Sequence, residues 1–336
     1  MATEKIGFHN AAELLDRCMV IFKKSFIQQI GMYMVCQMIS SSIITLFGFV
    51  GGVGLVSALM ATPDPIQYFS QFDDWYLLFI VGFVFMYLFV LLNNFMLSAG
   101  SLLSWQVFSE RRIDFGDALK RSFMALGRLA TATFAQLIAI SAVIAVAFAL
   151  LQLFAPDLLS SASWLFNPQS WDFVLDDSRA LFAVLRLYAV IIIFALFVVV
   201  ILNYFSLATS AALFDNRHFF GALAKSFMLI KGDFLRILGL RIAFFGASFL
   251  IEYSIMGLFA IITGVTAGIS ETGYGDYMGL ATASMALTYI VMLAASAIVA
   301  PLQNIFTSMV FFNQKIKHEG LDIGITLEHL EYKHVV

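Results

Sequence analysis

The chain has 336 residues, of which 61% are hydrophobic and 12% charged, with a formal net charge of −3. A soluble globular domain carries about a quarter charged residues, so this composition, with a mean hydropathy of +0.91, excludes one. Nucleic acid is not expected as a partner of so apolar and net-acidic a chain.

The charge deficit is concentrated in blocks free of Asp, Glu, Lys and Arg, the pattern of a protein solvated by a bilayer. The chain opens on an amphipathic stretch, residues 10–26. It places Ala11, Leu15, Cys18, Met19, Phe22 and Phe26 on one helical stripe, with Glu13, Asp16, Arg17, Lys23 and Lys24 opposite. This is the repeat of an interfacial helix, and Asn10 with Glu13 gives it a start resembling a capping box. An apolar run over 27–61 follows, far too long for a signal-peptide core, with Gly48, Gly51, Gly52 and Gly54 as expected bends. The second span covers 75–108 and contains Asn93 and Asn94.

Asp114 and Asp117 begin a second amphipathic stretch with Phe115, Ala118, Leu119, Phe123 and Leu126 on its stripe. Spans over 129–155, with Gln136, and over 180–214, with Asn203, come next. The third stretch has Phe219, Phe220, Leu223, Phe227 and Ile230 on its stripe. It leads to spans over 236–268, containing Glu252, and 279–312, containing Gln303 and Asn304. Every span exceeds the roughly 20 residues that cross hydrocarbon, so tilt or kinks must absorb the excess.

These elements echo one another. Aligned on Met19, Met124 and Met228, the sequence reads as three copies, approximately 8–112, 113–217 and 218–320, within a single membrane domain 1–336 that ends in a cytoplasmic tail, 321–336. Arg17-Cys18-Met19, Arg121-Ser122-Phe123-Met124 and Lys225-Ser226-Phe227-Met228 mark the repeat. The expected fold is therefore an all-α membrane protein of six transmembrane helices. They form three repeated hairpins, each preceded by a cytoplasmic amphipathic elbow helix.

Orientation follows from the basic residues. Of the 19 Lys and Arg, 17 fall in residues 1–26, 110–128, 215–241 and the tail from 313; the three opposite loops hold only Arg179 and Arg186. Short loops rich in Lys and Arg stay in the cytoplasm, which puts both termini there. Trp75, Trp164 and Trp171 then mark the outer boundary and Trp105 the inner one. The two cysteines, Cys18 and Cys36, sit in one helical arm and suggest neither a disulfide framework nor a zinc site.

Two sets of residues are candidates for function. The first is polar and intramembrane: Glu252, Asn93, Asn94, Asn203, Gln303, Asn304 and Gln136. Asn at similar depth in three related helices suggests interhelical hydrogen bonds about a pseudo-threefold axis, worth about 0.6–2 kcal/mol each. Glu252 is the one acid deep in a span, where an unpaired charge costs at least about 2.5–3.5 kcal/mol. A partner or a protonated form is therefore expected, the candidate partners being the Asn side chains, Gln136 or Arg241. The second set is basic and interfacial: Arg17, Lys23, Lys24, Lys120, Arg121, Arg128, Lys225, Lys231 and Arg236, expected to touch lipid headgroups or a partner protein.

Other signals carry no chemistry. Glu271-Thr272-Gly273-Tyr274-Gly275-Asp276 shares letters with a potassium-channel filter. It lacks the residue between Thr and the first Gly and the preceding pore helix, so it reads as a glycine turn. Glu328, His329, Glu331 and His334 read as solvated tail residues, and no metal or cofactor motif is present.

The chain's end, Phe311-Phe312-Asn313-Gln314-Lys315-Ile316-Lys317-His318-Glu319-Gly320-Leu321-Asp322, has an aromatic residue, then a basic-x-basic-x-Glu-Gly-x-Asp run. With the third elbow, Ala222 to Phe227 and Lys231-Gly232-Asp233-Phe234, it resembles bacterial polytopic membrane proteins that include the membrane domain of glycerophosphodiester phosphodiesterases. That resemblance implies a bacterial plasma (inner) membrane location and carries no catalytic residues, because the catalytic domain is absent. The expected function is non-enzymatic: a scaffold or accessory subunit for a protein partner at the cytoplasmic face, as monomer or homodimer among membrane lipids. The alternative is a lipid or small-molecule carrier with a polar intramembrane cavity around Glu252.

Overall fold

A computed structural model describes residues 11–61, 75–154, 178–270 and 277–321. Among these residues there are nine helices and no strand: α1 Ala11–Ala61, α2 Trp75–Phe108, α3 Phe115–Met124, α4 Leu126–Phe154, α5 Ser178–Phe205, α6 Ala208–Phe214, α7 Phe220–Lys231, α8 Phe234–Ser270 and α9 Tyr277–Glu319. Five stretches are long and apolar enough to cross a membrane: Gly82–Phe108, Leu126–Val146, Tyr188–Phe214, Phe234–Leu258 and Ile290–Glu319. The expected span 27–61 lies in α1 and is not among the five. It is interrupted by Gln28, Gln29, Gln37 and the Ser40-Ser41-Ser42 run.

The long helices begin and end where their composition changes. Asp114 caps α3, its Oδ1 accepting from the Asp117 backbone N–H at 3.1 Å. After Phe108 and Phe214, Glu110 and Asn216 take positive φ (55° and 52°) and turn the chain out of α2 and α6. α1 bends at Ser25 (φ −114°, ψ 17°) and runs helical through Gly48 to Gly54, where bends were expected. The cause is local: the buried Ser25 hydroxyl donates to the Ile21 carbonyl at 2.7 Å, a back-bond that bends helices. The Asn10 start and the Glu271–Asp276 turn lie outside the described residues.

The apolar stripes of the three amphipathic stretches divide between two surroundings. Leu14, Ala118 and Ala222 are buried at one constant spacing, as are Cys18, Ser122 and Ser226, and Ile21, Ala125 and Leu229. Met19, Phe123 and Phe227 stand exposed at the same spacing, followed by Val20, Met124 and Met228. One side of each stretch, mixing small residues with Leu and Ile, thus faces the bundle, and the Met and Phe beside it face outward. This differs from the expected stripes, in which Leu15, Met19, Phe26, Phe123 and Phe227 shared a face with buried residues. At that spacing Cys18, rather than Arg17, corresponds to Ser122 and Ser226. Both cysteines are free and buried, and burial pushes the Cys18 thiol up to about 12.

Close packing in the bundle relies on small residues, as membrane interiors require. Ser98, Ala99, Gly100 and Ser101 of α2 are fully buried, as are Ala208 and Ala211 of α6. A Cβ on Gly100 would lie 3.2 Å from Gln29 Oε1 and 3.4 Å from Asn304 Cβ, so α1, α2 and α9 meet at that glycine. Beside it the Ser101 and Ser308 hydroxyls bond at 2.7 Å and Gln29 donates to the Gly100 carbonyl at 3.1 Å. Further along, the C-terminal ends of α2, α6 and α9 converge through rings. Phe312 lies 5.1 Å from Trp105, 5.5 Å from Phe108 and 5.3 Å from Phe214. Phe244 stacks on the fully buried Phe306 at 4.2 Å and locks α8 to α9.

Candidate functional site

Polar side chains scattered over four helices meet in one cleft of about 380 Å³. α1 contributes Tyr33 and Gln37, α2 contributes Asn93 and Asn94, α8 contributes Glu252, and α9 contributes Ser296, Gln303 and Asn304. Met96, Leu97, Val299 and Ala300 supply its apolar wall. The helices bring these residues together because α1 packs on α2 and α9, and α9 packs on α8. The Gly100 crossing holds α1, α2 and α9 close just beside the cleft.

Glu252 is half-buried and finds its partner on α9. The Ser296 hydroxyl donates to Glu252 Oε1 at 2.8 Å. None of the expected partners forms this bond. Arg241, on the same helix, has Nε and Nη2 buried without a partner among the described residues. Eleven residues of α-helix separate it from Glu252, a rise of about 16 Å.

The amide side chains do not form one ring. Asn94 joins three helices: its Nδ2 donates to Thr133 Oγ1 at 2.8 Å and to Gln136 Oε1 at 3.1 Å, and its Oδ1 accepts from Thr209 Oγ1 at 2.9 Å. Gln136 in turn donates to the Phe205 carbonyl at 3.2 Å. Asn93 turns its Nδ2 to the Phe89 carbonyl of its own helix at 2.9 Å. Asn203 is buried elsewhere, with neither amide atom bonded among the described residues. Glu252, Asn93, Asn94, Gln303 and Asn304 therefore share the cleft, while Asn203 and Gln136 lie outside it.

Sequence reasoning missed Tyr33, Gln37 and Ser296. A signal existed for the first two, since Gln37 interrupts an otherwise apolar run one helical turn beyond Tyr33. Ser296 is indistinguishable in sequence from any small residue at a helix contact.

Of the interfacial basic residues, Arg17 and Arg128 are half-buried and Arg236 is exposed. Lys23, Lys24, Lys120, Arg121 and Lys231 are exposed, and Arg121 pairs with Asp117 one turn back at 2.9 Å. Lys225 is instead held in a clasp built from the end of α9. There Glu319 takes Lys225, Lys315 takes Asp215 and lies 3.5 Å from Glu319, and Lys317 takes Asp233. The basic-x-basic-x-Glu run thus ties α9 to both ends of α7. Burial opposes ionisation of Asp233, but the hydrogen bond and charge of Lys317, with Gln314 and Arg236, hold its carboxyl below the usual range.

Among the described residues no group of three or more His, Cys, Asp or Glu gathers to hold a metal ion. No protein-family model, curated protein or solved structure matches the chain.

Proposed function

We propose that this chain is a multi-pass protein of the bacterial plasma membrane, with both termini cytoplasmic, that binds and carries a small polar molecule or a lipid headgroup without chemical conversion. The observation that carries this reading is the cleft itself: eight polar side chains from four helices around about 380 Å³. Pockets for small ligands have about this size, an apolar lining and a few converging polar groups. An ionisable residue inside a membrane is costly enough that a ligand pathway is its default interpretation. In this proposal α1 supplies a sixth span. The constant spacing of buried residues in α1, α3 and α7 supports three hairpins, each entered through a short amphipathic helix. The likeness to phosphodiesterase membrane domains belongs to the same proposal and rests on the α9 run and the third elbow alone.

The test is mass spectrometry of what accompanies the protein when it passes from its native membrane into nanodiscs. Glu252→Gln keeps an oxygen for Ser296 and so preserves the fold. One enriched small molecule or lipid, released by Glu252→Gln, is the expected result. A cleft that is equally empty in both proteins would sink the reading.

A second reading, a scaffold for a cytoplasmic protein, is favoured by the outward aromatic and Met side chains beside exposed Lys and Arg on the short helices. A stoichiometric protein partner lost on charge reversal of Lys23, Lys24 or Arg121 would support it. Lys225 is a poor probe, because reversing it also breaks the pair with Glu319.

A further inference from the structure

The electrostatics of the cleft narrow what it can hold. Among its lining residues Glu252 supplies the one carboxyl group, and no Lys, Arg or His accompanies it. A phosphate or carboxylate entering there would meet another acid and no cation to pair with, in a setting where charge is weakly screened.

The hydrogen bonds point the same way. Ser296 spends its proton on Glu252 Oε1, leaving Glu252 Oε2 and the Ser296 lone pairs as acceptors. The Asn93 Nδ2 donates to the Phe89 carbonyl, which leaves its Oδ1 as an acceptor and its second N–H as a donor. Both ends of the Asn94 amide are occupied by Thr133, Gln136 and Thr209. Around Glu252 the cleft thus offers carboxyl, hydroxyl and amide oxygens as acceptors, beside Tyr33, Gln37, Gln303 and Asn304, whose side chains can also donate.

Size excludes a bare ion. The volume of about 380 Å³ is many times the roughly 30 Å³ of a water molecule. The apolar wall of Met96, Leu97 and Val299 suits a hydrocarbon body. We infer that the cleft takes the protonated amine of a small organic molecule, its ammonium facing Glu252, Ser296 and Asn93 and its carbon skeleton on the apolar wall. This rests on the reading of the cleft as a ligand site.

The test is thermal stabilisation of the full chain in nanodiscs by three probes of one skeleton: tyramine, the alcohol 4-(2-hydroxyethyl)phenol and 4-hydroxyphenylacetate. Tyramine should stabilise the protein, the alcohol less and the carboxylate not at all. Glu252→Gln should weaken tyramine binding at least tenfold while leaving the melting temperature without ligand nearly unchanged. If the alcohol or the carboxylate binds as well as tyramine, and Asn304→Leu abolishes that binding while Glu252→Gln does not, the cation inference fails and the ligand site stands. If none of the three stabilises either protein, the cation inference and the ligand-site reading fall together.

Discussion

Two polar regions of this bundle are built to opposite ends. At the finish of α9, Lys315, Lys317 and Glu319 each find an opposite charge on the segments flanking or forming α7, above rings packed between α2, α6 and α9. In the cleft the Glu252 carboxyl accepts from one hydroxyl, Ser296, and no Lys, Arg or His is among the lining residues. The first region is closed by the chain's own residues, so its polarity holds structure. The second gathers eight polar side chains, Glu252 among them, and no cation, and that arrangement is what the proposal of a ligand rests on.

The sharpest way to break this comparison is to remove one partner from the clasp. Lys315 and Asp215 are both mostly buried, with side chains 15% and 11% exposed. Breaking such a pair leaves a buried charge and costs about 3–5 kcal/mol. Lys315→Ala should therefore lower unfolding stability in detergent by that order, and the double substitution Lys315→Leu with Asp215→Leu should recover most of it. Should Glu252→Gln destabilise as much as Lys315→Ala, the contrast between a structural and a ligand-facing region is lost.

A smaller effect separates the two neighbouring asparagines. Asn94 bonds to Thr133, Gln136 and Thr209; Asn93 bonds only within its own helix among the described contacts. Asn94→Ala should cost about 1–2 kcal/mol, in the range of interhelical bonds in membranes. Asn93→Ala should leave unfolding almost unchanged and act on ligand affinity. Parallel unfolding curves for the two variants decide the matter; equal losses would place Asn93 in the scaffold.

Much of this was legible because the bilayer demands uniform composition over long runs. α2 spans Trp75–Phe108, where the charge-free block suggested it, and the Asp114–Asp117 cap is a local signal that needs no tertiary context. Glu252, Asn93, Asn94, Gln303 and Asn304 stood out because polar side chains are expensive in such runs. What failed to show was long-range. Nothing local distinguishes Ser296 as the partner of Glu252, or Asp215 as the partner of Lys315. The amphipathic stripes misled for a related reason. In a membrane protein large apolar side chains face lipid as readily as core, so hydrophobicity alone cannot tell Cys18 and Ser122 from Met19 and Phe123.

The smallest expected effect concerns pH and the outer member of the clasp. Asp233 pairs with Lys317, whose side chain is 37% exposed, and half-exposed pairs contribute on the order of 1 kcal/mol or less. Because the folded protein holds the Asp233 carboxyl below its ordinary value of 3.8, the folded state binds its proton less readily than the unfolded chain does. Its contribution is therefore present above the unfolded value and is lost as the pH falls below 3.8 through the folded one. Melting temperatures of the protein and of Asp233→Asn, compared from pH 6 downward, should differ near neutrality and converge in acid. A gap that stays constant across that range would mean that Asp233 acts through packing at the start of α8 and not through its charge.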